Sequence, residues 1–167
     1  MDTAITRRNL PMMLLRARER IMVRFRPLLK AHGVTEQQWR VVRALHEHGA
    51  AEPRELCDLC ALSGPSLAGI LARMEALGLI DRRRFDHDRR RVRVSLTRRS
   101  TSLVHRVSAE IEARYRELER TVGSETVART YACLEALVAG LDGSPPRSLD
   151  GHTAEFTPDA DADRGIR

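Results

Sequence analysis

Apolar and polar positions alternate along this chain in two rhythms. From Leu10 to Ala31 an apolar stripe at Leu14, Leu15, Met22, Phe25, Leu28 and Leu29 keeps helical spacing. Asn9 and Pro11 suit the start of that helix, Pro27 predicts a bend or a split last turn, and Gly33 ends it. Thr35 with Gln38 has the capping-box pattern, and Trp39, Val42, Leu45 and His46 form the face of a second helix that Gly49 stops. The Ala50-Ala51-Glu52 segment is short enough for an edge strand. A short helix, Pro53 to Ala61, then presents Leu56, Leu59 and Cys60 inward. Leu62-Ser63-Gly64 reads as a turn, and Ser63 as the cap of a helix from Pro65 to Leu77 with Leu67, Ile70, Leu71, Met74 and Leu77 on one side.

After Gly78 the rhythm changes. Leu79 to Phe85 and Val92 to Leu96 read as two arms of a β-hairpin, the second alternating strictly, with Asp86-His87-Asp88 as its turn. Helical spacing then returns. Thr97 caps a long helix, Arg98 to about Val122, with Leu103, Val107, Ile111, Tyr115, Leu118 and Val122 on its seam. Gly123-Ser124 breaks it, and Ser124 is expected to cap a last helix carrying Val127, Tyr131, Leu134, Leu137, Val138 and Leu141. Gly143 to Arg167 is polar, punctuated by Pro and Gly, and reads as a disordered tail.

The expected fold is therefore mainly α with a small β-hairpin wing: a winged helix-turn-helix over about 34–97, joined to helices over about 9–31 and 98–142. The apolar seams of those outer helices exceed what the small module can cover, so burial in a homodimer is expected. All of 1–142 counts as a single domain.

Charge gives the module a purpose. The 167 residues carry 29 Lys+Arg against 23 Asp+Glu, a net charge of +6, and Lys30 is the only lysine. Arginine forks match phosphate and guanine, although a GC-rich genome also favours arginine. Arg82, Arg83 and Arg84 precede the hairpin turn and Arg89, Arg90 and Arg91 follow it. A core cannot absorb so many guanidiniums, so the tip must project, as a cationic finger suited to the minor groove of double-stranded DNA. The helix before it leaves Ser63, Ser66, Ala68, Gly69 and Arg73 outside. Small residues allow close approach to base edges and phosphates, and Arg73 reaches either. A solvated charged loop behind an ordinary αα-corner is the plainer reading. Aromatic residues make up only 4%, which argues against stacking platforms for single strands. A basic RNA-associated protein stays open as an alternative.

Arg18 interrupts the apolar stripe of the first helix, one turn after Leu14 and one turn before Met22, and is expected to face inward. It either pairs with a carboxylate of the chain, snorkels to water, or receives the carboxylate of a small organic acid. Trp39, the only tryptophan, is core or the wall of an aromatic pocket. Cys57-x-x-Cys60 is half a zinc site with no second half, so no metal or other cofactor is expected. A redox switch at Cys57 or Cys60 is the other open reading. No nucleotide-binding Gly loop, Ser-His-Asp order or paired-carboxylate site appears, so an enzyme is not expected. The N-terminus has no signal-peptide core and no apolar run approaches membrane-spanning length, which points to the cytoplasm and no membrane partner.

The order of elements resembles the MarR family of bacterial transcriptional regulators. VTEQQWRVVRAL, Val34 to Leu45, is similar to the family's opening of its second helix. Asp88-Arg89-Arg90 and Leu96-Thr97 match its wing pattern. NLPMMLLRARERIMVRFRPLLKAHG, PRELCDLCALSGPSLAGILARMEALGLI and EIEARYRELE are similar to the branch that regulates homoprotocatechuate degradation. The resemblance runs from about Asn9 to Leu141. It implies a homodimeric repressor of an aromatic-acid catabolic operon whose helix Pro65 to Leu77 enters the major groove. Arg90 would be the minor-groove residue, Asp88 would orient the wing or simply form its turn, and Arg89 and Arg91 would serve phosphates; Arg84 is a further DNA-binding candidate. It also implies that a small aromatic carboxylate relieves repression by binding where Arg18, Met22, Trp39 and Arg40 converge. The family's sensing cysteine lies near the start of the first helix, where this chain has none.

Overall fold

The computed structural model describes residues 7–84 and 92–143. The elements run α1 (Leu10–Ala31), α2 (Glu36–His48), α3 (Pro53–Cys60), α4 (Gly64–Ala76), β1 (Ile80–Arg84), β2 (Val92–Leu96), α5 (Arg98–Val122) and α6 (Ser124–Leu141). Contacts divide the chain into two compact units between Leu118 and Glu119.

Local chemistry sets most boundaries. Asn9 Oδ1 accepts the Met12 amide at 3.0 Å and opens α1. The Thr35 hydroxyl accepts the Gln38 amide at 3.2 Å while Gln38 returns Oε1 to the Thr35 amide at 2.8 Å, a reciprocal cap for α2. A second reciprocal cap joins Glu52 and Glu55 at the start of α3. Pro27 neither splits nor shortens α1, which runs on to Ala31 as one helix. Gly33, at φ 75°, turns the chain where a side chain would be strained.

The core of the first unit is built from α2, α3, α4, the hairpin root and α5. Val41, Val42, Leu56, Met74, Val94 and Val107 are fully buried, each such side chain contributing about 1.5–3 kcal/mol. α1 joins through its C-terminal half only: Phe25, Leu28 and Leu29 are buried, whereas Leu14 and Leu15 are exposed. Phe25 meets Tyr115 of α5 with ring centroids 5.1 Å apart. Several expected inward positions lie outside instead. His46 is exposed, and Leu59 and Leu77 are nearly half exposed, because each sits at the end of its helix beyond the reach of the core.

The hairpin is antiparallel, with Ile80 opposite Leu96, Arg82 opposite Val94 and Arg84 opposite Val92. Its third rung is the expected edge segment: Ala51 and Val94 exchange both backbone hydrogen bonds, at 3.0 and 2.8 Å. At the root, three successive carbonyls are taken by α5 and the residue before it. Arg99 Nη1 donates to Leu77 O at 2.9 Å, the Thr97 hydroxyl to Gly78 O at 2.8 Å, and the buried Ser100 hydroxyl to Leu79 O. These bonds fix the end of α4 and the start of β1 against α5. In the second unit, α6 starts at Ser124, with Gly123 in the capping place expected of Ser124. No residue of α6 is buried.

Candidate functional site

The turn between α3 and α4 is one residue earlier than the sequence suggests. Ala61 takes the left-handed conformation, φ 47°, and Gly64 is already helical. Ser63 holds the capping position, but its hydroxyl donates to the Ser66 hydroxyl at 2.9 Å and accepts no backbone amide of the helix. The first amides of α4 therefore have no side-chain acceptor from Ser63.

Ser63, Ser66 and Arg73 are exposed along one face of α4, with Gly69 half-buried between them. A methyl group at Gly69 would lie 3.6 Å from Arg73 Nη1, so the Arg73 guanidinium lies back along the helix over the glycine. The face is thus smooth and ends in a cation. β1 continues it. Arg82 sits on the same hairpin face as the buried Val94, yet its Nε reaches Glu75 of α4 at 3.2 Å. That pair, which the sequence alone does not single out, ties the hairpin to α4. Arg83 faces Arg93 directly across the ladder; Arg93 Nε turns away to Ala50 O at 3.1 Å, which eases the like-charge contact. Arg84 is exposed at the far end of β1. Asp88, Arg89, Arg90 and Arg91 lie outside the described residues.

The second candidate site centres on Arg18. It does not face the core: its side chain is 43% exposed, on the stretch of α1 ahead of the buried Phe25, Leu28 and Leu29. It pairs with Glu36, the first residue of α2. Arg40 Nη2 reaches the same Glu36 oxygen at 3.1 Å and Arg26 Nε takes the other at 3.1 Å. Arg26 also clasps both oxygens of Glu19. That hydrogen bond holds the Glu19 carboxyl below the ordinary carboxylate value, against the opposing effect of desolvation, and raises the Arg26 guanidinium. Arg40 Nη1 donates to Cys60 O at the end of α3, 2.8 Å away. So the structure brings Arg18 and Arg40 together through Glu36, a partner the sequence reading missed. Met22, one turn beyond Arg18, and Trp39, beside Arg40, are half-buried against the core. The capping pattern at Thr35 was a signal that Glu36 begins a helix; nothing in the sequence marked it as the meeting point of three arginines.

A cleft of about 500 Å³ lies elsewhere, lined by residues such as His48, Glu55, Asp58, Leu59 and Arg93. None of Arg18, Met22, Trp39 or Arg40 lines it. No group of three or more metal-ligating side chains occurs among the described residues. The Cys60 thiol is buried and donates weakly to Arg40 O at 3.7 Å. Burial pushes it above its usual value, which makes it a poor nucleophile.

The family model described as MarR family matches residues 32–91, from the end of α1 into the hairpin. The homoprotocatechuate degradative operon repressor of Escherichia coli is 39% identical over 143 residues, 86% of this chain and 96% of that protein. The chain belongs to the MarR family. Among solved structures of MarR-family regulators, one transcriptional regulator is 37% identical, covered over 100% of its length and 84% of this chain, with a TM-score of 0.75. NadR in complex with 4-hydroxyphenylacetate is 35% identical, with 84% of this chain and 97% of NadR covered, at a TM-score of 0.69. The fold is that of the MarR winged-helix regulators, with α3 and α4 as the helix-turn-helix and β1–β2 as the wing. These relatives are transcriptional regulators, not enzymes. No single helix among the described residues is long and apolar enough to cross a membrane.

Proposed function

We propose that this MarR-family protein is a homodimeric repressor that binds a pseudopalindromic operator and leaves it when a small aromatic carboxylate binds. The observation that carries the DNA reading is the outer face of α4: small residues and an exposed Arg73 beside a cationic hairpin fixed to it. α4 enters the major groove with Ser63, Ser66, Gly69 and Arg73, and the wing enters the minor groove with Arg90, steadied by Asp88, while Arg84, Arg89 and Arg91 hold phosphates. Dimerisation is supported by apolar surface left uncovered in each unit. Leu10, Met12, Met13 and Leu15 of α1 are exposed, as are Tyr131, Val138 and Leu141 of α6, and a second copy would cover both. An effector carboxylate is assigned to Arg18 and Arg40, and its ring to Met22 and Trp39. Support comes from the arginine cluster, from a relative that represses an aromatic-acid operon, and from a neighbour bound to 4-hydroxyphenylacetate. Acting on an operator places the protein in the cytoplasm.

The test is a titration of labelled duplex DNA from the protein's own promoter region at several salt concentrations. Wild type should bind it as a dimer with affinity falling steeply in salt. Arg90→Ala should weaken binding by about tenfold or more, the scale of a lost groove contact of about 1–3 kcal/mol, and leave the dimer intact. Unchanged affinity would remove the wing from the mechanism, and equal affinity for duplex RNA would remove the operator. In a thermal-shift screen of aromatic carboxylates, Arg18→Ala should lose the response that wild type gives.

A further inference from the structure

We propose that Glu36 is a built-in counter-ion that holds Arg18 until a free aromatic monocarboxylate takes that guanidinium. Arg40 then passes the exchange to the turn ahead of the reading helix. The inference rests on the effector reading above and deepens it.

Glu36 stands at the first position of α2, where the helix N-terminus favours a carboxylate. Its side chain is only 18% exposed and is shared among Arg18, Arg26 and Arg40. Of these three, Arg18 has the most distant second carboxylate, Glu19 at 3.9 Å, and its guanidinium is reachable from solvent. Arg26 keeps Glu19, and Arg40 keeps Cys60 O. If Arg18 is drawn away, Glu36 is not orphaned, because Arg26 and Arg40 still satisfy it. An incoming carboxylate therefore competes only with a partly exposed ion pair, which is held weakly. The cluster also holds three guanidiniums against two carboxylates, so one further negative charge completes it and a second would be in excess.

The exchange has a route outward. When Arg18 leaves, Glu36 settles on Arg40 and Arg26. Arg40 is hydrogen-bonded to the last carbonyl of α3, and the next residues, Ala61 and Leu62, form the turn that ends at the cap of α4. The Leu62 amide is itself tied back to Cys57 O at 3.0 Å, so this turn is stiff. A shift of Arg40 thus acts on the position of α4. A ligand releases DNA only if it binds the two arrangements differently, and the coupling is reciprocal.

The experiment uses the full chain, 4-hydroxyphenylacetate as probe, and isothermal titration with and without operator duplex. In wild type, operator should weaken binding of the acid severalfold. In Glu36→Gln, with Arg18 released, the free protein should bind the acid about fivefold tighter, the fold-change of about 1 kcal/mol. The operator-dependent ratio should collapse towards one. The methyl ester of the acid should show no such gain. A wild-type ratio in Glu36→Gln, or an equal gain with the ester, overturns the inference. If Glu36→Gln fails to fold, Glu36→Asp, one methylene shorter, should move affinity and ratio in the same directions by less; unchanged values there overturn it too. Failure of wild type to bind any aromatic carboxylate is a separate result, which removes the effector reading and this inference with it.

Discussion

Helices α4 and α6 both carry apolar residues at three- and four-residue spacing, and they meet opposite fates. α4 buries Leu67, Ile70, Leu71 and Met74 between its neighbours. α6, longer by five residues at 18 against 13, buries nothing. The two halves of α1 repeat the contrast within one helix, Phe25, Leu28 and Leu29 inside, Leu14 and Leu15 outside. Periodicity therefore reports which face seeks burial and is silent on what buries it. The first kind of face is satisfied by the chain itself. The second is not satisfied within its own unit.

The comparison breaks most readily at the inner face. Leu71→Ala removes a side chain that is 1% exposed and should cost about 2–5 kcal/mol in urea unfolding. A loss under about 1 kcal/mol would mean that α4 is not anchored as described. Ser100→Ala is next. It strips the buried Leu79 carbonyl of its hydroxyl partner and should cost about 1–3 kcal/mol, with operator affinity falling because the root of the hairpin loosens. The outer faces respond differently. Leu134→Glu with Val138→Glu should leave helix content by circular dichroism nearly unchanged and lower the molar mass by light scattering from dimer to monomer. An unchanged mass would assign the α6 face to some other cover.

The smallest effect concerns the thiols. Iodoacetamide should modify exposed Cys133 first and buried Cys60 last. Because burial raises the Cys60 thiol above 9.0 in the fold, the unfolded chain loses its proton first. Stability from this group is intact below that pH and declines as the pH rises through the folded value. A fast-reacting Cys60 would reopen the redox reading.

Most of the fold was legible before any coordinates. Asn9, Thr35 and Thr97 start helices where their side chains satisfy free amides, and Gly33, Gly49 and Gly78 end them at positive φ. What misled were residues at helix ends. Leu59, Leu77 and His46 keep the spacing but lie past the point where a partner helix still faces them. Arg18 misled for a related reason, since its stripe is apolar on a stretch that the first unit does not cover. The exposed face of α4 was legible because small residues and one arginine on an outer arc follow from spacing alone. The Glu36 cluster was not: it depends on the angle at which α1 meets α2, which no local pattern encodes.

The three carbonyls at the end of α4, grasped by Arg99, Thr97 and Ser100, have a mechanical corollary. With Leu77, Gly78 and Leu79 all clasped, no slack loop separates the long helix from α4 and the wing. Any swivel of α5 about its own axis must crank the tail of α4 and the base of the wing in the same stroke.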